Sequence, residues 1–159
     1  MKDSLSPSEP RQMQEPSRRL HAAASSPDRP SPGGPPPEPQ GKTILVCEDE
    51  PTLRELVQAV LGPRYRYLEA VDGEEALEIA RTVTPDLVLL DLMLPGTSGF
   101  EVLEAIRSTP ALRVTPVIVL TAWTHVEPAA LAAGADRFVT KPFEPDALEA
   151  VVHELLGER

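Results

Sequence analysis

Glu48, Asp49, Asp91, Thr121 and Lys141 are the residues whose types could do chemistry together. Each stands at or just after a short apolar run: Ile44 to Cys47, Leu87 to Leu90, Val117 to Leu120, and Phe138 to Thr140. Carboxylates gathered in one place repel one another, so the three acids would be poised to hold a cation. Oxygen ligands with no Cys or His among them favour Mg²⁺ over zinc. A Mg²⁺ ion bridging to a phosphoryl group would screen its charge and let the Asp91 carboxylate attack. Lys141 would neutralise a further oxygen and Thr121 would donate a hydrogen bond to a third. The residue types therefore fit phosphoryl transfer to an aspartate, where positioning and charge neutralisation supply most of the catalysis.

Each residue also has a plainer reading. Glu48, Asp49 and Glu50 are placed to complement a helix dipole. Thr121 is a cap candidate, and Lys141 is an exposed loop lysine in the plain view. Asp91 is a candidate helix N-cap, although Ser98 and Glu101 have the spacing of a capping box and supply a better one. These readings, taken singly, leave the convergence of the set unexplained.

The elements that must position these residues alternate. Thr43 to Cys47 is a β-rich run, and Pro51 opens a helix with Leu53, Leu56, Val57, Val60 and Leu61 at helical spacing, stopped by Gly62. Arg64 to Ala70 is a weaker strand. Asp72 and Glu75 have capping-box spacing before a second helix, which Thr84-Pro85 breaks. Asp86 to Leu90 is the central strand, buried on both faces, followed by Pro95-Gly96 and a helix through Phe100, Val102, Leu103 and Ile106. Val117 to Leu120 is the fourth strand, Pro128 to Ala133 a short helix, Arg137 to Thr140 the fifth strand, and Pro145-Asp146 opens the last helix. Five strand–helix units imply right-handed crossovers and an α/β fold, a doubly wound parallel sheet. The expected architecture is flavodoxin-like (βα)5 with strand order 2-1-3-4-5. Glu48, Asp49, Asp91, Thr121 and Lys141 then share the C-terminal edge of the sheet, where open α/β sheets bind ligands.

Composition divides the 159-residue chain in two. Ten of its 19 prolines fall in residues 1–41, with seven serines and few large apolar residues. That segment reads as a disordered tail, with Pro35-Pro36-Pro37 as a spacer. Its charges balance, five basic against five acidic, so the net charge of −10 belongs to residues 42–159, the expected folded domain. An acidic domain argues against direct nucleic-acid binding, and it also simply keeps a protein dispersed. No apolar stretch approaches a membrane span and no signal-peptide core is present, so the chain is expected in the cytoplasm, without membrane insertion. The single cysteine, Cys47, reads as a small buried residue rather than a reactive thiol.

The segments Ile44-Leu45-Val46-Cys47-Glu48-Asp49-Glu50-Pro51, Asp91-Leu92-Met93-Leu94-Pro95-Gly96, Leu120-Thr121-Ala122, Gly134-Ala135-Asp136 and Lys141-Pro142-Phe143 resemble, in order and spacing, the receiver domain of two-component response regulators. The resemblance covers residues 42–157. It implies that Asp91 is the phosphoacceptor, served by a sensor histidine kinase or a phosphotransfer protein. It implies Asp49 as a direct Mg²⁺ ligand, Glu48 acting through water, and the Met93 carbonyl as a further ligand beside Asp91. Thr121 and Lys141 would be the family's hydroxyl and lysine, with a cis Lys141–Pro142 bond. Phe138 would be the switch aromatic that changes rotamer as Thr121 moves.

Some features vary the family pattern. Glu48 stands where Asp is frequent, and Thr97-Ser98 replaces a commoner pair. The stretch from Thr121 to Gly134 is about two residues short and contains Pro128, so the fourth helix is expected to be short or to start late. That bears on the usual signalling face and on homodimer formation. Trp123 either flanks the pocket or lies on the surface of its loop. The expected role is a stand-alone receiver, not an enzyme on external substrates, whose state is read by an output protein. Rival roles are a phosphorelay intermediate passing the group to a phosphotransfer histidine, a phosphate-independent pseudo-receiver, and a piece of a larger regulator. An aspartate-nucleophile phosphatase would need a second Asp where Met93 stands.

Overall fold

The computed structural model describes residues 41–158; the expected N-terminal tail lies outside them. Apolar runs with β-branched residues form the strands, and capped amphipathic segments form the helices between them. In chain order these are β1 (Thr43–Cys47), α1 (Pro51–Leu61), β2 (Arg66–Ala70), α2 (Gly73–Val83), β3 (Leu87–Leu90), α3 (Gly99–Ser108), β4 (Val117–Thr121), α4 (Glu127–Ala132), β5 (Arg137–Thr140) and α5 (Pro145–Leu156). All neighbouring strands pair in parallel, in the order β2-β1-β3-β4-β5. The flavodoxin-like arrangement expected from the sequence is the one observed.

Alternation along the central strands builds two cores. Leu45, Cys47, Val88, Leu90, Val117 and Val119 face α2, α3 and α4 through Ala76, Ala80, Val102, Leu103, Ile106 and Ala130. Ile44, Val46, Leu87, Leu89, Ile118 and Leu120 face α1 and α5 through Val57, Leu61, Leu148, Val152 and Leu156. Every residue of β3 and β4 is buried, so these strands form the floor beneath the C-terminal edge of the sheet.

Several boundaries differ from the sequence reading. The second strand begins at Arg66 because Arg64 and Tyr65 belong to a turn, where the guanidinium lies 5.0 Å from the Tyr65 ring centre. Asp86 precedes β3 and brackets the start of β1: its main-chain N–H donates to the Thr43 carbonyl, and its carboxylate accepts from the Thr43 N–H, both at 2.8 Å. Ser98 and Glu101 do form the reciprocal capping box of α3. At α2, Asp72 caps Glu75 as expected, but the Glu75 carboxylate reaches back to the Val71 N–H. α4 is six residues long and follows a 3₁₀ turn over Thr124–Val126, with Pro128 in its first turn, so the fourth helix is both short and late. No helix among the described residues is long and apolar enough to cross a membrane.

Candidate functional site

Hydrogen bonds that extend the sheet beyond its strands fix the main chain at the C-terminal edge. Glu48 N–H donates to the Ala70 carbonyl (3.0 Å), Asp91 N–H to Cys47 (3.1 Å), and Lys141 N–H to Thr121 (2.9 Å). The three polar residues therefore continue β1, β3 and β5 in register and share one edge. Asp91 is free of any helix-capping duty, because Ser98 holds that position for α3.

The side chains meet. Lys141 Nζ donates to Glu48 Oε1 and to Asp91 Oδ2, each at 2.8 Å. Glu48 Oε2 accepts from the Glu50 N–H at 3.1 Å, and Asp91 Oδ1 accepts from the Met93 N–H at 3.0 Å. Glu48 and Asp91 are both buried, each 4% exposed, whereas Asp49 is exposed. One ammonium thus serves two buried carboxylates, with a third carboxylate at the rim. Burial raises the Glu48 carboxyl above the ordinary range and the charge of Asp91 adds to this, against the opposing bonds from Lys141 and Glu50. Burial alone would lower the Lys141 ammonium, but its bonds to Asp91 and Glu48 outweigh that and hold it above the usual lysine value.

One carboxylate oxygen from each of Glu48, Asp49 and Asp91 lies within 4.8 Å of the other two. Three hard oxygen donors, with negative charge exceeding the single ammonium, fit a divalent cation of the Mg²⁺ type. The set borders a cleft of about 460 Å³, walled by Glu50, Thr52, Leu53 and Leu56 of the α1 side and by Met93.

Thr121 and Phe138 are placed differently. Thr121 is fully buried at the end of β4, opposite Thr140, and its hydroxyl accepts from the Trp123 N–H at 3.4 Å. Phe138 pairs with Val119 and packs partly buried against the core on the α2–α4 side. It borders a separate pocket with Val139, Thr140, Pro142 and Phe143. Neither lines the acidic cleft. Trp123 does not line it either; it is 40% exposed, its ring 6.4 Å from that of His125. The Lys141–Pro142 bond is cis.

Two further residues support the site. Glu50 separates from the other two acids: its carboxylate caps α1 by accepting from the Leu53 N–H at 3.0 Å. Arg54, one turn into α1, donates to the main-chain carbonyl of Glu48 at 2.8 Å. A Pro-led helix with an acid before it signals the cap in sequence. Nothing local signals the Arg54 contact, which depends on how α1 turns back over β1.

The model of the response regulator receiver domain family matches residues 44–153. Among sequence relatives, a DNA-binding response regulator, MtrA of Mycolicibacterium smegmatis, is 41% identical over 116 residues, 71% of this chain and 50% of that protein. The probable transcriptional regulatory protein TcrX of Mycobacterium tuberculosis is 46% identical over 120 residues, 73% of this chain and 49% of that one. The chain thus spans about half the length of these relatives. A solved structure of the receiver domain of a sensor histidine kinase from Pseudomonas aeruginosa, with a magnesium ion coordinated in its active-site cleft, superposes with a TM-score of 0.67 at 30% identity, covering 74% of this chain and 99% of that one. The signal receiver domain of a DNA-binding response regulator from Colwellia psychrerythraea gives a TM-score of 0.68 at 30% identity, with the same coverage.

Proposed function

Because the chain belongs to the response regulator receiver family of two-component systems, we propose that Asp91 accepts a phosphoryl group from a phosphohistidine of a sensor histidine kinase or phosphotransfer protein. The observation that carries this reading is the Lys141 ammonium held 2.8 Å from both Asp91 and Glu48, beside three carboxylate oxygens gathered within 4.8 Å.

Asp49 and Asp91 would hold Mg²⁺ directly, with the Met93 carbonyl, and Glu48 through water. The ion, when bound, offsets the negative charge of the phosphoryl oxygens as they approach the carboxylates. An oxygen of Asp91 attacks phosphorus in line; the P–N bond of the phosphohistidine breaks, and its electron pair stays on the imidazole. The Met93 N–H keeps the Asp91 carboxylate turned into the cleft. Lys141, already poised on Asp91, moves its charge onto a phosphoryl oxygen. Thr121 donates its hydroxyl to another oxygen once the group is in place, and Phe138 follows into the space that Thr121 leaves. A protein partner reads that change at a surface away from the cleft.

Intact mass after incubation with acetyl phosphate tests the reading. A gain of one phosphoryl group that requires Mg²⁺ and is absent from Asp91→Asn supports it. No gain in the parent chain, together with no Mg²⁺-dependent binding of beryllofluoride by fluorine NMR, would replace it with a phosphate-independent binding module.

A further inference from the structure

Resting on the divalent-cation reading above, we propose that Arg54 is a positioning residue for that cation, because it clamps the Glu48–Asp49 peptide to edge strand β2. Its two donors point to two different partners. Nη1 donates to the Glu48 carbonyl at 2.8 Å, and Nε donates to Glu69 Oε1 on β2 at 2.9 Å. The other Glu69 oxygen accepts from Gln58 Nε2 at 2.6 Å, so α1 grips the same carboxylate twice. The Arg54 side chain is only 15% exposed, although the Glu69 side chain is 46% exposed. The guanidinium is therefore packed down over the end of the sheet and does not wave in solvent.

The carbonyl it holds matters because of where it lies. The Glu48 C=O and the Asp49 N–H belong to one rigid peptide plane. On its other side, Glu48 is held to β2 by its own N–H, bonded to Ala70. Arg54 completes the second half of that attachment and so sets the plane from which Asp49 departs. Among the described residues, no hydrogen bond holds the Asp49 side chain. Its direction is then inherited from the main chain. Glu48 has Lys141 and the Glu50 N–H to hold its carboxylate; Asp49 relies on its two flanking peptides, one pinned by Arg54 at the Glu48 carbonyl and the other by the Glu50 N–H on Glu48 Oε2.

Charge and geometry predict opposite signs, which makes the role testable. A guanidinium near a divalent cation repels it, so a mere bystander Arg54, once removed, leaves tighter Mg²⁺ binding. A positioning Arg54, once removed, leaves weaker binding, as for residues that orient metal ligands from outside. Lysine keeps the charge but lacks the fork that spans two acceptors in fixed directions.

The test is calorimetric titration of the full chain with Mg²⁺, for the parent, Arg54→Met, Arg54→Lys, Glu69→Gln and Asp49→Asn. Arg54→Met is expected to weaken binding about 10-fold, Arg54→Lys to fail to restore it, and Glu69→Gln to weaken it about threefold. Binding by Arg54→Met as tight as the parent's, or tighter, overturns the proposal. If circular dichroism shows Arg54→Met unfolded, Arg54→Lys carries the test, since it keeps the charge and loses only the fork, and an unchanged affinity there overturns it equally. An absence of binding by the parent, or full binding by Asp49→Asn, would overturn the cation reading itself. Loss in Asp49→Asn with retention in Arg54→Met would overturn only the role of Arg54.

Discussion

Lys141 Nζ and Asp91 Oδ2 lie 2.8 Å apart although 50 residues separate them in the chain, and β4 stands between the strands they follow. Two strand spacings amount to about 10 Å, which a long unbranched side chain and an aspartate can close between them. Among the described residues, Lys141 is the one ammonium bonded to two buried carboxylates. Lys141→Met would leave those carboxylates close together and uncompensated. A loss of about 2 kcal/mol is expected at pH 7.5 without Mg²⁺, below the range for fully buried pairs because the lysine side chain is 20% exposed. The raised lysine value means that the contribution is present below the ordinary lysine range and fades as pH rises through the folded value. It also fades at acid pH as Glu48 protonates. Urea unfolding at pH 7.5 and pH 4 measures this, and an equal loss at both would sink the account.

Glu48 carries the opposite sign. Its carboxyl titrates above the ordinary range, chiefly through burial, so the folded chain binds the proton more readily than the unfolded chain. Stability therefore falls as pH rises from about 4.5 through the folded value. Glu48→Gln is expected to stabilise the metal-free protein at pH 7.5 by about 1 kcal/mol, or about 4 °C in melting temperature. The gain should vanish near pH 4. Saturating Mg²⁺ should narrow it, because the parent gains more from binding. Thermal melts in chelator at the two pH values decide this, and a variant less stable than the parent at both would refute it.

The strands most legible in the sequence were those buried on both faces. Ile44 to Cys47, Leu87 to Leu90 and Val117 to Leu120 are unbroken apolar runs of four residues, scarcely one turn of a helix but long enough for a strand buried on both faces. The short α4 was legible from Pro128, since proline fits only a first turn. Tyr65 misled because an aromatic beside Tyr67 has strand character. Its burial comes instead from a turn in which its hydroxyl donates to Glu158 at 2.6 Å, from the far end of the chain. The cluster of Glu48, Asp91 and Lys141 followed from topology once the strand order was known. The division of labour among Glu48, Asp49 and Glu50 did not, because three adjacent acids look alike until a helix start selects one as its cap.

Cys47 tests the rigidity of the floor beneath the site. It is 1% exposed, and burial pushes its thiol far above the usual cysteine range, with the charge of Glu75 adding to this. The native thiol should react with a chromogenic disulfide reagent at least about 100-fold more slowly than free cysteine, by openings of the fold alone. Mg²⁺ should slow it further. Rapid stoichiometric labelling of the native protein would contradict the packing described.

Gly99 joins the packing to the site. A Cβ there would stand 2.3 Å from the Leu92 Cα and 2.7 Å from the Asp91 carbonyl oxygen, both main-chain atoms that cannot rotate away. Helix propensity favours alanine over glycine by about 1 kcal/mol, but overpacking against backbone costs more. Gly99→Ala should lose about 3 kcal/mol of stability. Its relief requires the segment after Asp91 to shift, which carries the carboxylate away from Glu48 and Lys141, so Mg²⁺ affinity should fall as well. Gly73→Ala is the control: its Cβ would meet the Thr97 carbonyl oxygen at 2.2 Å, against the same loop but six residues beyond Asp91. It should cost similar stability and leave Mg²⁺ binding nearly unchanged. Urea titrations and calorimetry on both variants read the two effects separately. Equal losses of Mg²⁺ affinity would show that the whole loop, rather than the contact at Asp91, places the carboxylate.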